Sequence, residues 1–218
     1  MNELEIWKGS RTYLNRGTWV GLLGALALMM SACSSSTAAP TTTLSATAVV
    51  VSAPTGFTSE PTDLVSGGST GSLTYGEAAG ADCSGVDPIK TSETQWSSSQ
   101  LRFYGGNPAY GNSYLILCVT RMRSVSAAST TQAGVAQELS GKTSGMFGST
   151  IAPLSVPDVP GSTAITLGSG AEQVSQISFV KGPFVVFVVG GSLQASSSNA
   201  IQEIAVSLAA HEYASLVP

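Results

Sequence analysis

Two runs of six consecutive apolar residues dominate the hydrophobic pattern. Residues 114–119 read Tyr-Leu-Ile-Leu-Cys-Val, and residues 184–189 read Phe-Val-Val-Phe-Val-Val. A strand that is apolar at every position, rather than at alternate positions, needs cover on both of its faces. The two runs therefore predict two buried strands.

Each run forms the second arm of a predicted hairpin. Before the first run, residues 101–104 predict a strand and residues 105–111 a Gly-rich turn, with the second arm over 113–123. Before the second run, residues 171–181 alternate weakly, and a Gly-Pro pair at 182–183 marks the turn.

A helix is predicted after each hairpin. Residues 127–140 carry helical spacing and end at a Gly stop, and residues 200–216 form the second helix. The predicted buried stripes are Ala128, Gln132, Val135, Ala136 and Leu139 in the first helix, and Ile201, Ile204, Ala205, Leu208 and His211 in the second.

The two hairpin-helix stretches suggest a repeated ββα unit, because Tyr114 maps onto Phe184 at an offset of 70. Two such units predict an α+β fold, an antiparallel sheet of about four or more strands with the helices packed on one face.

The sequence signals for the remaining elements are weaker. A capping-box spacing at Thr74 and Glu77 predicts a short helix over 75–82. The polar stretch 84–100 is typical of a loop, and the Pro-containing stretch 149–167 predicts a loop that ends in a strand over 163–167.

The N-terminus has the pattern of an export signal. Lys8, Arg11 and Arg16 precede the uncharged residues 17–32, a basic flank followed by a short apolar core. Sixteen residues fall short of the roughly 20 that a spanning helix needs.

Met30-Ser31-Ala32-Cys33 resembles the bacterial lipobox, with Met30 where Leu is commonest. The resemblance implies cleavage after residue 32 and diacylglycerol on Cys33, and two or more acyl chains hold a protein firmly at a membrane. The alternative is a plain secretory peptide or an uncleaved anchor.

Three segments follow from this signal. Residues 1–32 are the predicted lipoprotein signal peptide, residues 33–55 the acylated cysteine and a flexible Ser/Thr/Ala/Pro tether, and residues 56–218 the extracytoplasmic α+β domain. The alternative for the three valines at 49–51 is an edge strand.

Composition excludes one class of function. The 218 residues include only 9 Lys and Arg against 13 Asp and Glu, for a net charge of -4. No basic cluster exists that could neutralise phosphates, so a nucleic-acid binder is not indicated. The mature chain has six basic and eleven acidic residues, which gives no electrostatic attraction to anionic lipid.

Cys83 and Cys118 remain after lipidation of Cys33. An even number of cysteines in an oxidising compartment predicts a disulfide between them; the alternative is two unpaired thiols. The single histidine and the absence of a Cys-x-x-Cys spacing argue against a metal site, and no cofactor is indicated.

Two enzyme patterns occur. Residues 136–143 fit a loose phosphate-loop pattern, but a predicted helix rather than a strand precedes it, which argues against a phosphate site. The other is a serine-hydrolase pattern. Residues 67–71 match Gly-x-Ser-x-Gly, and Ser69, Asp158 and His211 follow the order nucleophile, acid, base. A nucleophile elbow requires an apolar strand before the serine, and residues 62–66 make a poor strand, so a serine hydrolase is disfavoured.

The layout resembles that of actinobacterial, mycobacterial-type secreted lipoproteins with extracytoplasmic domains of unknown function. The resemblance lies in Pro-Thr-Gly-Phe at 54–57, Val-Pro-Asp-Val-Pro-Gly at 156–161, Phe-Val-Lys-Gly-Pro-Phe-Val-Val-Phe-Val at 179–188 and Glu-Tyr-Ala-Ser-Leu at 212–216. It implies a lipid-anchored location on the outer face of the membrane but no reaction or ligand.

The expected function is a non-catalytic binding or interaction module of the cell envelope, with the membrane and an unidentified envelope protein as partners. The candidate binding surface is the aromatic set Trp96, Phe103, Tyr104 and Tyr110. The alternative is a carrier of an apolar envelope molecule, with a cavity lined by Phe179, Phe184 and Phe187.

Overall fold

The computed structural model describes residue 46 and residues 50–60, 70–78, 93–105, 108–110, 113–141, 150–169, 172–192 and 194–217. These residues belong to one compact unit, Thr42–Pro218. The predicted signal peptide, Cys33, Ser69 and Cys83 lie outside the described residues.

The described chain forms an open antiparallel sheet of eight strands. The strands are β1 (Thr58–Glu60), β2 (Gly71–Leu73), β3 (Trp96–Gly105), β4 (Ser113–Met122), β5 (Thr150–Pro153), β6 (Thr163–Ser169), β7 (Glu172–Lys181) and β8 (Phe184–Ser192). Their order is β1-β3-β4-β8-β7-β6-β5, and β2 also pairs with β3. The helices are α1 (Tyr75–Ala78), α2 (Val125–Gly141) and α3 (Ala195–Ser215), so the α+β class is confirmed.

The two apolar runs lie side by side in the sheet. Strand β4 pairs with β8 in a register that sets Leu117 opposite Val188 and Cys118 opposite Phe187. Every residue of β8 is buried. The prediction of two strands covered on both faces is confirmed.

The two long helices cover opposite faces of the sheet. Leu117 and Val188 belong to one hydrophobic cluster with Ile201 and Leu208 of α3. Cys118 and Phe187 belong to a second cluster, with Ala128, Val135 and Leu139 of α2. The prediction that both helices pack on one face is therefore wrong.

The faces on which equivalent strand residues lie explain this error. The offset of 70 that aligns the two hairpins places Leu117 on Phe187, yet Leu117 points toward α3 and Phe187 toward α2. Successive side chains of a strand alternate between faces, so a symmetric repeat would keep equivalent residues on one face. The two hairpin-helix stretches are not related in this way.

Two strands extend into segments predicted as loops. Strand β3 begins at Trp96 and strand β5 covers Thr150–Pro153. The start of β3 is polar, but Ser99 Oγ lies 2.8 Å from Thr120 Oγ1 on the neighbouring strand, and both side chains are buried. Mutual hydrogen bonding allows these polar groups to be buried in the sheet.

The predicted helices agree with the structure better than the predicted loops do. Helix α2 contains all of 127–140, and α3 begins five residues before residue 200. Helix α1 covers the first four residues of the predicted 75–82. One stripe position is wrong, because His211 is exposed and Glu212 is fully buried.

A glycine sets the close approach of β8 to α3. A Cβ added at Gly190 would lie 2.8 Å from Ala205 Cβ and 3.3 Å from the carbonyl oxygen of Ile201. We expect Gly190→Ala to lower the free energy of unfolding by about 1.5 kcal/mol, because overpacking forces the helix to shift. Denaturant titration checks this value.

The control is Gly191→Ala. The three atoms nearest to a Cβ at Gly191 are the outer ring atoms Cζ, Oη and Cε1 of Tyr114, at 2.3 to 2.5 Å. Relief there requires movement of one half-buried side chain, whereas relief at Gly190 requires movement of helix backbone. Equal losses in the two variants would contradict the role assigned to Gly190.

Candidate functional site

The four aromatic residues of the predicted binding surface do not form one surface. Phe103 and Tyr104 are only 4% and 2% exposed, and they belong to the clusters on opposite faces of the sheet. The Trp96 ring contacts Tyr75 edge-on at 6.1 Å, and Tyr110 stacks on Phe57 at 6.2 Å. Neighbouring residues of a strand point to opposite faces, which the sequence prediction did not take into account.

The three phenylalanines of the proposed ligand cavity are also separated. Phe179 and Phe184 lie in the cluster under α3, whereas Phe187 lies in the cluster under α2. All three are buried. A single cavity lined by the three rings is therefore excluded.

Two of the three residues of the hydrolase pattern, Asp158 and His211, lie in the described part of the chain. Asp158 and His211 are exposed, and Ser69 is outside it. In the same described part, no group of three or more His, Cys, Asp or Glu side chains is placed to hold a metal ion.

Cys118 is fully buried in the middle of β4. Cys83 lies outside the described residues, so the pairing of Cys83 with Cys118 stays a prediction.

The most unusual polar site binds the predicted tether. Both backbone groups of Val51 are held by side chains of the domain. The Val51 N–H donates to Glu212 Oε2 at 3.0 Å, and the Tyr104 hydroxyl donates to the Val51 carbonyl oxygen, also at 3.0 Å. We call this arrangement, the backbone of Val51 with the side chains of Tyr104 and Glu212, the Val51 clasp.

Apolar contacts extend the clasp along the chain. Ala46 is fully buried and its N–H donates to Ser98 Oγ at 3.1 Å. Val50, Val51 and Ala53 pack against the hydrophobic cluster under α3. Ala46 and residues 50–53, the docked segment, therefore contact the domain upstream of Gly56, where the sequence places its start.

The docked segment reaches the sheet through a tight turn. The Phe57 N–H donates to the Pro54 carbonyl at 2.9 Å, and Gly56 has a φ of 84°. That φ favours glycine over residues with a Cβ. Residues 50 and 51 are not assigned to a strand, because Val51 bonds to side chains rather than to a neighbouring strand.

Glu212 is the chemically distinctive member of the clasp. Its side chain is 0% exposed, and its Oε1 has no hydrogen-bond partner among the described residues. Burial raises the pKa of Glu212 to about 7, against a smaller lowering by the Val51 N–H. Desolvation penalises the charged form of a carboxyl group, so this acid changes charge near neutral pH.

Tyr104 remains a donor through that range. Burial raises the pKa of Tyr104 to about 12, Arg102 lowers it and Glu212 raises it further. The phenol therefore keeps its proton when Glu212 loses its own. The Val51 carbonyl retains its donor at any physiological pH.

The last turn of α3 holds Glu212 in place. Lys181 Nζ donates to the Tyr213 carbonyl at 2.7 Å and lies 4.5 Å from the centre of the Tyr213 ring. The Leu216 N–H donates to the Glu212 carbonyl at 3.1 Å. A cation at a helix C-terminus is favourable for the helix dipole, and the end of α3 is fixed under the docked segment.

Sequence reasoning missed Glu212 because it placed His211 on the buried stripe of this helix. The periodicity of α3 contains the signal: at about 100° per residue, Glu212 lies about 20° from Ile201 around the helix axis and His211 about 80°. The apolar stripe Ile201, Ala205, Leu208 continues to Glu212. A carboxyl group on a buried stripe is a marked exception to the usual pattern.

Similarity to known proteins is limited. No family model and no curated protein sequence matches the chain. Among solved structures, the extracellular domain of PknH from Mycobacterium tuberculosis is similar at 14% identity and a TM-score of 0.36, over 53% of this chain and 66% of that one. None of the described helices is long and apolar enough to cross a membrane.

Proposed function

We propose that this chain is a lipid-anchored, extracytoplasmic, non-catalytic binding or interaction module, whose domain is kept close to the membrane by docking of its own tether. The Val51 clasp is the observation that supports docking of the tether, and the lipobox-like residues 30–33 support the anchor. The clasp makes part of the tether a built component of the hydrophobic core rather than a free linker.

Chain length supports the membrane-proximal position. From Cys33 to Ala46 there are 13 residues, which span at most about 45 Å when fully extended. A flexible chain of this length has a typical end-to-end distance of about 20 Å. With the segment docked, the domain would stay within roughly its own diameter of the lipid.

The net charge of the mature chain supports attachment through acyl chains rather than through electrostatic attraction to lipid. The mature chain has six basic and eleven acidic residues, so it gains nothing from an anionic surface. The partners proposed are the membrane, through Cys33, and an envelope protein. The proposal includes the Cys83–Cys118 disulfide. It includes no nucleic acid and no cofactor.

Cys33→Ala tests the proposal in a bacterium that processes lipoproteins. We expect the wild-type chain in the membrane fraction and Cys33→Ala in the soluble one, because the variant lacks the acylated thiol. After crosslinking in living cells, the wild-type chain should form a species with an envelope protein, and the variant should lose it. Fractionation and mass spectrometry of the crosslinked bands measure both.

Ser34→Ala is the matched control and should behave like the wild type. Retention of Cys33→Ala in the membrane would contradict the lipid anchor. Absence of any crosslinked species from the anchored protein would contradict the interaction role.

A further inference from the structure

The docked segment covers an ionisable group in the hydrophobic interior. Glu212 is fully buried, and its Oε2 accepts a hydrogen bond from the Val51 N–H of that segment. The other oxygen, Oε1, has no hydrogen-bond partner in the described part of the chain. A neutral carboxyl group tolerates this environment far better than a carboxylate, which requires several hydrogen bonds or a cation when buried.

We propose that the docked segment is a pH-responsive latch, which stays bound while Glu212 is protonated and is released when Glu212 ionises. Release would give both carboxylate oxygens access to water. It would also free the backbone of Val51 to bind water in place of Tyr104 and Glu212.

The described titratable and charged groups around Glu212 do not stabilise its carboxylate form. From β3 it faces the Tyr104 phenol, which is neutral, with Arg102 acting on that phenol. Lys181 of β7 is bound to the Tyr213 carbonyl, and His211 is exposed on α3. Only burial and the Val51 N–H shift the Glu212 pKa, and no described cation balances the carboxylate.

The direction of the switch follows from proton binding. Glu212 has a pKa of about 7 in the docked state, whereas a solvated glutamate carboxyl group has a pKa near 4.5. Between these values the released state binds fewer protons, so raising the pH favours release. Linkage predicts that the equilibrium constant for release rises about 30-fold between about pH 5.5 and pH 8.

Release would lengthen the free tether. The chain from Cys33 to the first described residue that contacts the domain would grow from 13 residues, ending at Ala46, to 24 residues, ending at Phe57. Its maximal span would rise from about 45 Å to about 85 Å. This effect on reach rests on the proposed lipid anchor, whereas the latch itself does not.

Hydrogen exchange of the full chain in detergent micelles tests the latch. The exchange rate of a peptide that covers residues 46–56 is measured in the wild type and in Glu212→Gln, each at pH 5.5 and pH 8. Comparison at equal pH cancels the intrinsic pH dependence of exchange. The ratio of the wild-type rate to the variant rate should rise about 30-fold.

Glu203→Gln is the control, because Glu203 is exposed on the same helix, and it should match the wild type. A peptide from β4 reports global opening and should not follow the change. If Glu212→Gln leaves the segment undocked at both pH values, a free peptide of residues 46–56 replaces it as the reference. A constant ratio, or a parallel change in β4, would overturn the latch. Either result leaves the membrane test with Cys33→Ala unaffected.

Discussion

Replacing Phe179 with alanine is expected to lower the free energy of unfolding by about 4 kcal/mol, within the range of about 3 to 5 for buried phenylalanines. The Phe179 ring is 0% exposed on β7. It meets the Tyr213 ring edge-on, with 5.6 Å between centroids and 68° between planes. The loss therefore combines a large cavity with an aromatic contact that fixes the end of α3.

Val180→Ala is the matched control for this variant. Val180 is the next residue on the same strand, is only partly buried and packs on the opposite face, under α2. We expect about 1 kcal/mol for this smaller truncation at a partly exposed site. Urea denaturation of both proteins measures the difference. Similar losses would mean that the α3 face is not the tightly packed face of the sheet.

The apolar runs predicted the centre of this fold because the signal is local. Residues 114–119 and 184–189 have no polar face, and as strands they must be covered on both faces. The same reasoning contradicts a sheet with all helices on one side. The opposite placement of α2 and α3 was therefore available from the sequence, and the apparent repeat at an offset of 70 concealed it.

Polar and Pro-containing strands were missed because they depend on neighbours far along the chain. Buried Ser99 of β3 has two hydrogen-bond partners, Thr120 Oγ1 on β4 and the indole N–H of Trp96, and the Thr120 contact forms only when β3 and β4 pair. Strand β5 includes Pro153 and lies at the edge of the sheet formed by the described residues, where it pairs with β6. A proline is acceptable at such an edge, but nothing local distinguishes this stretch from a loop.

The Val51 clasp joins residues whose separation hides the relation from the sequence. Val51 lies 161 positions from Glu212 and 53 from Tyr104. The periodicity of α3 places Glu212 on a buried face, but it does not identify the group that meets it. A run of small residues without charge looks like a free tether, although Ala46 and Val51 use their backbone groups and small side chains to dock.

The stability of the domain is expected to fall by about 2.5 kcal/mol between about pH 5 and pH 8 through Glu212 alone. Its folded pKa of about 7 lies above the ordinary 4.5. A group whose pKa is raised by folding contributes full stability below the unfolded pKa, and the contribution decreases as the pH rises toward the folded pKa. Urea denaturation at several pH values measures the slope, which should be absent in Glu212→Gln and present in Glu203→Gln.

The shape of this pH profile separates the latch from a rigid clasp. If the docked segment cannot leave without global unfolding, the free energy of unfolding decreases until the pH passes about 7, the folded pKa of Glu212. If the segment is released first, the decrease stops earlier, when the penalty for the buried carboxylate equals the free energy of docking. The residual stability would then be that of the domain without its segment. A slope in Glu212→Gln equal to that of the wild type would exclude Glu212 as the source in both cases.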